Sequence, residues 1–205
     1  MYLACAGVGH ITLVDHDTVD LTNLQRQIAN RTASVGQPKV ESAAATLQAL
    51  NPLVHVSTFN TRADAAFLDT HLPTVDVVLD CCDNFATRQA VNAASVRHGK
   101  PMVSGAAIQF DGQISVYDAH NGQQPCYACV FPPEATPPEA QCATMGVFAP
   151  LVGIVGAMQA AEALKLLTGV GRSLAGRLLM LDGRAMEWTE LQVPRNPKCA
   201  VCSTK

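Results

Sequence analysis

Two pairs of cysteines with the same short spacing are the strongest chemical signal in this sequence. They are CYAC, Cys126–Cys129, and CAVC, Cys199–Cys202. Four thiolates match the ligand number and softness that zinc takes in closed tetrahedral sites, which leave no open position for catalysis. The spacing therefore predicts a structural Zn²⁺ held by Cys126, Cys129, Cys199 and Cys202. Two redox disulfides are the alternative.

A second group of residues has the types needed to bind a nucleotide. Asp15 ends an apolar strand, where a carboxylate can accept hydrogen bonds from ribose hydroxyls. Arg26 and Lys39 are cations suited to phosphates. Asp83 follows another apolar strand, at the end where open α/β sheets bind ligands, and it could hold Mg²⁺. A solvated arginine, a surface lysine and a helix-capping aspartate are the alternatives when each is taken singly.

Lys39 is the least expected of these cations. It falls in the first turn of a predicted helix, where the macrodipole disfavours a positive charge by about 0.3–1 kcal/mol. An anionic ligand would remove that conflict.

The segments that carry these residues alternate between strand and helix patterns. Strands are predicted at His10–Asp15, VHVSTF, VDVVLD, PMVSGAA, GQISVYD, RLLMLDG and MEWTELQV, and helices in GQPKVESAAATLQALNP, around Asp64–His71, Ala86–His98 and Pro150–Thr168. Apolar runs such as VDVVLD are typical of parallel strands covered on both faces. The pattern predicts an α/β fold: a Rossmann-like, mostly parallel sheet flanked by helices, continuing from Met102 into a mixed or antiparallel part with a zinc knuckle.

Composition limits the classes of protein. The chain has 205 residues, a formal net charge of -3 and eight cysteines. This charge argues against electrostatic binding of nucleic acid. The apolar stretch LVGIVGAMQAAEALKLL contains Gln159, Glu162 and Lys165 and is short for a membrane span, which favours a buried helix. Without a signal peptide, the cysteines indicate metal or thiol chemistry in a reducing cytoplasm.

Five motifs together resemble the ThiF/MoeB/HesA adenylyltransferases, the bacterial relatives of ubiquitin-activating enzymes. They are GVGHITLVDHDTVDLTNLQRQ, GQPKVESA, LDCCDN, GQISVYD and the paired C-x-x-C motifs. The resemblance covers almost the whole chain. It implies one domain, with a nucleotide-binding part at about 1–105 and a carrier-binding and zinc part at about 106–205. It also implies ATP, and adenylation of the C-terminal glycine of a ubiquitin-like sulfur carrier.

The resemblance assigns the site residues as well. It places nucleotide contacts on Asp15, Thr22, Asn23, Gln25, Arg26, Lys39, Asp83 and Asn84, and zinc ligands on Cys126, Cys129, Cys199 and Cys202. A homodimer is implied too. Catalysis needs no base, because the carrier carboxylate is already ionised at neutral pH. Arg26, Lys39 and a magnesium ion on Asp83 could neutralise the phosphates.

Cys142 lies in the proline- and glutamate-rich stretch FPPEATPPEAQCATMG, a composition that favours a mobile loop. Its position matches the family's loop cysteine linked to sulfur transfer, so its thiol could meet an acyl-adenylate. An incidental cysteine is the alternative. Glu134 and Glu139 would tend to raise the pKa of Cys142, which weakens the case for an activated thiolate.

Several readings of the function stay open. LMLDGRAMEWTEL and the loop before Cys142 look more like the thiamine-thiazole branch of the family than the molybdopterin branch. No rhodanese-like extension follows Lys205, so a separate protein is expected to donate sulfur. A catalytically dead carrier-binding module and an NAD-dependent oxidoreductase are the other classes.

The start of the chain carries an expectation of its own. Relatives have a strand, a glycine-rich loop and a helix start ahead of the segment YLACAGVG. The sequence therefore predicts a truncated or misassigned start. Because phosphates rest on the backbone N–H groups of such a loop, weak ATP binding, or none, is expected from the chain as it stands.

Overall fold

Seven strands in the described part of the chain form two sheets. The computed structural model describes residues 1–120, 122–134 and 145–203. The strands are β1 (His10–Val14), β2 (His55–Phe59), β3 (Val78–Asp80), β4 (Met102–Ile108), β5 (Asp111–Tyr117), β6 (Arg177–Asp182) and β7 (Glu187–Gln192). The α-helices are α1 (Tyr2–Cys5), α2 (Lys39–Leu50), α3 (Ala65–His71), α4 (Phe85–His98), α5 (Tyr127–Val130) and α6 (Ala149–Thr168). The chain divides into two compact units, Met1–Ala63 and Asp64–Lys205.

The first unit is a parallel pair of strands covered by helices. β1 and β2 run parallel, with His10 opposite His55. Apolar side chains of both strands pack with residues of α1, of α2 and of the turn after α2 into a small core, which contains Ala4, Leu47, Val54, Ile11, Leu13 and Val56. The Asn51 side chain at the end of α2 donates a hydrogen bond of 2.8 Å to the Ala4 carbonyl, so it joins α2 to the end of α1.

The second unit contains the sheet that changes from parallel to antiparallel pairing. Its strand order is β3-β4-β5-β6-β7. β3 and β4 are parallel, and each later pair is antiparallel. The change falls at Met102, where the sequence predicted it, and the predicted α/β fold is confirmed. β3 is shorter than predicted, because Leu72–Thr74 forms a 3₁₀ turn that Val75 ends.

Helix α6 packs on β4 and β5 at two glycines of the sheet, Gly105 and Gly112. A β-carbon at Gly105 would lie 2.5 Å from the Gln159 side chain and 2.8 Å from that of Val155. The Gln159 amide nitrogen donates to the carbonyls of Asp80 at 2.8 Å and Val103 at 3.2 Å. The absence of a side chain at Gly105 thus lets α6 bond directly to the sheet.

The length and apolar composition of α6 would also suit a membrane span, and one third of its most apolar stretch is buried. The core helix of a globular protein passes the same test. Gln159 and Glu162 are buried on α6 and hydrogen-bonded within the unit. These contacts agree with the buried helix predicted from the sequence.

We expect Gly105→Ala to lower the free energy of unfolding by about 1–3 kcal/mol, because the added methyl group overpacks the contact with α6. Chemical denaturation measures this change. Gly9→Ala is the matched control, because a β-carbon at Gly9 meets nothing within 4 Å. Equal stability of the two variants would contradict this description of the α6 contact.

Candidate functional site

The four predicted zinc ligands converge in the second unit. Their sulfur atoms all lie within 4.8 Å of one another. The Sγ–Sγ distances are 3.9 Å for Cys126–Cys129, 3.6 Å for Cys126–Cys199 and 3.5 Å for Cys129–Cys202. A Zn–S bond of about 2.3 Å places neighbouring sulfurs of a tetrahedral site roughly 3.8 Å apart. The cluster therefore has the dimensions of a four-thiolate metal site.

The described cysteines carry no disulfide. Sulfur atoms joined by a disulfide lie about 2.05 Å apart, which is far below the 3.5 Å separation of the nearest pair in the cluster. The alternative of two redox disulfides is therefore not what this structure contains.

Two polar side chains hold the cysteine cluster in place. The Asn92 amide accepts from the Tyr127 backbone N–H at 2.8 Å and approaches the Cys126 sulfur at 3.7 Å. Arg195 donates to the Cys202 carbonyl at 2.6 Å. Because Asn92 belongs to α4, the first cysteine pair is fixed to that helix. The second pair is fixed through the chain segment just before it.

Burial and hydrogen bonds act in opposite directions on the pKa values of the cluster thiols. Burial raises the pKa of the Cys126 thiol, and the neighbouring Cys129 thiol adds to the effect. Burial also raises the pKa of Cys129. At Cys199 burial acts in the same direction, but hydrogen bonds from the backbone of Cys202 and Val201 outweigh it and lower the pKa. A divalent cation would supply the positive charge that four thiolates need, and it would release protons as it binds.

The predicted nucleotide residues of the first unit lie just after β1 and at the start of α2. Asp15 follows Val14 directly, and its carboxylate accepts the Asp17 backbone N–H at 2.9 Å. Thr22 and Asn23 belong to a 3₁₀ turn, Leu21–Asn23, and the Thr22 hydroxyl donates to Asp20 at 2.6 Å. Gln25 follows and is exposed. The segment after β1 thus presents several polar side chains in sequence.

Arg26 is a half-buried cation. It donates one long hydrogen bond of 3.5 Å to the Thr22 carbonyl. Within the described ranges, no carboxylate lies within 4 Å of its guanidinium group. Its charge is therefore not neutralised by an ion pair there, as expected for a group that meets an anion.

Lys39 begins α2, as predicted, but it has a partner that the sequence did not reveal. Its ammonium lies 2.7 Å from a carboxylate oxygen of Asp17, and the Lys39 side chain is only 14 % exposed. The hydrogen bond from Lys39 outweighs the effect of burial and lowers the pKa of Asp17. Lys39 is thus not a freely solvated lysine. Asp17 relieves part of the conflict with the helix dipole that a ligand was expected to relieve.

Asp83 and Asn84 follow β3 in the second unit. Asp83 is exposed, and Asn84 caps α4 by accepting the Thr87 backbone N–H at 2.8 Å. The capping role considered for Asp83 therefore belongs to its neighbour. This leaves the Asp83 carboxylate exposed at the carboxyl end of a parallel strand, where a cation or phosphate could reach it.

The sequence did not predict the buried ion pair between Asp80 and Arg88, which lies close to Asp83 in the chain. Asp80 ends β3 and is 1 % exposed, and Arg88 on α4 is 9 % exposed. The Arg88 Nε lies 2.7 Å from an oxygen of Asp80, and the Ser104 hydroxyl donates to the same oxygen at 2.6 Å. Burial lowers the pKa of Arg88, but Asp80, Tyr127 and Cys82 together raise it more, so the net pKa is raised. One signal was available, since an acid ending an apolar strand needs a cation within reach.

Cys142 and Glu139 lie outside the described residues. The role of the Cys142 thiol therefore stays a prediction from the sequence.

Comparisons with known proteins agree with this fold. A family model described as "ThiF family" matches residues 1–201. The chain is 45 % identical over 204 residues to the molybdopterin-synthase adenylyltransferase of Escherichia coli, covering 98 % of this chain and 80 % of that protein. It is 46 % identical over 206 residues to the sulfur carrier protein adenylyltransferase of Thermus thermophilus, covering 98 % of this chain and 76 % of that protein.

A solved structure shows the same fold. The crystal structure of E. coli MccB with ATP matches with a TM-score of 0.82 at 24 % identity. The match covers 98 % of this chain and 61 % of that one, so the chain spans less than two thirds of that protein.

Fold and site define an α/β protein with the fold of MccB and a cluster of four cysteines. The chain belongs to the ThiF family. The resemblance predicted from the motifs is thereby confirmed. The names of the two relatives bear out the predicted enzyme class, adenylyltransferases.

Proposed function

We propose that this protein uses ATP to adenylate the C-terminal glycine carboxylate of a ubiquitin-like sulfur carrier protein that ends in Gly-Gly. The observation that carries the proposal is the 46 % identity, over 98 % of the chain, to a protein named sulfur carrier protein adenylyltransferase. The exposed Asp83 and the Arg26 guanidinium, for which the described part of the chain provides no carboxylate partner, support it. Mass spectrometry of the carrier after incubation with ATP tests it by detecting the acyl-adenylate.

The proposed reaction is a displacement at phosphorus. A carrier carboxylate oxygen forms a bond to the α-phosphorus of ATP, and the bond from that phosphorus to the bridging oxygen breaks, so pyrophosphate leaves with the electron pair. Both reactants are anions, so the protein must chiefly position them and neutralise charge. Arg26 and Lys39 would contact the phosphates. Asp15 would accept hydrogen bonds from the ribose.

Thr22, Asn23, Gln25 and Asn84 complete the proposed nucleotide contacts. Thr22, Asn23 and Gln25 are consecutive or nearly so, in and just after the Leu21–Asn23 turn. Asn84 has its side-chain oxygen committed to Thr87, so its amide nitrogen is the group left to meet a ligand. Mg²⁺, which binds carboxylates together with phosphate oxygens, would be held by Asp83 and would supply further positive charge.

The cysteine cluster would hold Zn²⁺ in a structural role. Its sulfur spacing fits a tetrahedral site, and four protein ligands leave no position for a substrate. We propose that the zinc ion joins the Cys126–Cys129 segment to the Cys199–Cys202 segment. Because these segments are far apart in the sequence, the metal would stabilise the fold by closing a long loop.

The identity of the carrier is the finer part of the proposal. Motifs in the sequence favoured the carrier of thiamine-thiazole synthesis. The relative named molybdopterin-synthase adenylyltransferase equally supports the small subunit of molybdopterin synthase. Adenylation of the two purified carriers under identical conditions decides between them. No adenylation of either carrier, with carrier binding retained, would support the catalytically dead binding module instead.

Three further features belong to this proposal. The Cys142 thiol would attack the carbonyl carbon of the carrier acyl-adenylate and release AMP, which leaves a thioester, or it would take sulfane sulfur from a cysteine persulfide of a separate donor protein, whose thiol then leaves. We place the enzyme in the cytoplasm, without a nucleic-acid or membrane partner.

We also propose that the protein is a homodimer. The partner subunit would cover the outer side of α6, where Gly153, Gly156 and Ala161 are exposed. Analytical ultracentrifugation measures the oligomeric state.

A further inference from the structure

Cys82, the residue just before Asp83, is held at both of its backbone polar atoms, the N–H and the carbonyl. The Cys82 backbone N–H donates to Asp80 Oδ1 at 3.0 Å. The Cys82 carbonyl accepts a hydrogen bond from Arg88 Nη2. Because Arg88 Nε also lies 2.7 Å from Asp80 Oδ2, one ion pair binds both the N–H and the carbonyl of Cys82.

The residue just after Asp83 is fixed as well. The Asn84 side chain accepts the Thr87 N–H at 2.8 Å and so ties the chain to the first turn of α4. Asp83 therefore lies between two fixed residues, while its own side chain stays exposed. With the backbone held on both sides, the direction of the Asp83 Cα–Cβ bond is fixed.

The stability of the fold alone does not explain this ion pair. A buried salt bridge loses much of its Coulomb energy to desolvation, and apolar residues of similar volume often replace one with no loss of stability. Here the pair is buried at the end of β3, three residues before the exposed Asp83 in the chain. Its guanidinium group spans a carboxylate and a backbone carbonyl at once, which the single ammonium group of lysine does less well.

We propose that Arg88, with Asp80 as its counterion, is a positioning residue that aims the Asp83 carboxylate for Mg²⁺–ATP. The inference rests on the proposed function, since it assigns Asp83 to the metal. Arg88 itself does not touch the substrate. It acts through the carbonyl of Cys82.

The test compares the Mg²⁺ dependence of carrier-dependent ATP–pyrophosphate exchange in four variants of the full chain. These are Arg88→Lys, Asp83→Asn, the double variant Asp80→Leu/Arg88→Met, and Arg97→Lys. Arg97→Lys is the matched control, because it makes the same substitution on α4 in an exposed ion pair, Arg97–Asp69, at 2.6 Å. The double variant removes both charges and leaves no buried charge unpaired, so it keeps the test valid if Arg88→Lys folds poorly. Hydrogen–deuterium exchange of the peptide containing residues 81–84 gives a readout besides activity.

We expect Arg88→Lys and the double variant to raise the Mg²⁺ concentration for half-maximal exchange by about 10-fold, the low end of the effect of losing a group that orients a metal ligand. Hydrogen exchange at residues 81–84 should become faster in the same variants, and Arg97→Lys should change neither value. If the Mg²⁺ concentration for half-maximal exchange rises in Asp83→Asn but stays unchanged in Arg88→Lys and in the double variant, the positioning role of Arg88 is overturned and the assignment of Asp83 to the metal stands. An unchanged value in Asp83→Asn overturns the assignment of Asp83 to the metal and the positioning role together.

Discussion

Replacing Cys199 by serine should remove the bound zinc and lower the melting temperature by about 8–16 °C. This follows if about 4 kcal/mol of the zinc binding free energy is lost and each kcal/mol shifts the melting temperature by about 2–4 °C in a chain of this size. The physical reason is that the zinc ion joins two segments that are distant in the sequence. Without one of its four sulfur ligands the zinc ion is lost, and the two segments are no longer linked. Metal analysis and thermal unfolding under reducing conditions measure the two effects.

The control for this variant is Cys5→Ser. Cys5 is an exposed free cysteine outside the cluster, so its replacement should change neither zinc content nor melting temperature. One zinc ion per chain in Cys199→Ser, with an unchanged melting temperature, would contradict the structural role of the cluster. A metal-free wild-type protein would contradict zinc itself.

Replacing Arg26 by alanine should lower the rate of adenylation by about 10²–10³, the usual cost of removing one group that stabilises transition-state charge. The fold should tolerate the change, because among the described residues the Arg26 side chain makes a single long hydrogen bond of 3.5 Å, to the Thr22 carbonyl, and no ion pair. Substitutions away from packed or paired groups usually change stability by less than about 0.5 kcal/mol. The measurements are carrier-dependent adenylation rates and the free energy of unfolding in denaturant.

Arg62→Ala is the matched control, since Arg62 is an exposed arginine of the same unit. It should lose neither activity nor stability. Equal losses of activity and stability in Arg26→Ala would identify a structural arginine and refute the role given to it here.

Features that depend on neighbours in the sequence were predicted well. The C-x-x-C spacing predicted the cysteine cluster, because a four-thiolate zinc site is commonly built from two such pairs of cysteines. The end of α4 was predicted from Gly99, which takes the left-handed conformation with φ of 63°. Lys39 was placed correctly in the first turn of α2 because Pro38 precedes it.

Features that depend on pairing between distant segments were not predicted. The Ser104 hydroxyl reaches Asp80 only through the register of β3 and β4, and although the acid that ends β3 signalled a cation within reach, it did not specify Arg88 as that cation. The partner of Lys39 is Asp17, 22 residues away, which only the fold brings close. Both misses concern charges, because apolar periodicity shows which residues are buried but not which cation meets which acid.

ATP–pyrophosphate exchange with a purified carrier that ends in Gly-Gly tests directly whether this protein adenylates the carrier carboxylate. Exchange requires a reversible bond between the carrier carboxylate and the α-phosphorus, and it needs no sulfur donor. We expect exchange that depends on the carrier, disappears when its terminal glycine is deleted, and falls by about 10²–10³ in Arg26→Ala. Exchange that continues without a carrier, or tight carrier binding with no exchange at saturating ATP and Mg²⁺, would contradict the proposed adenylation.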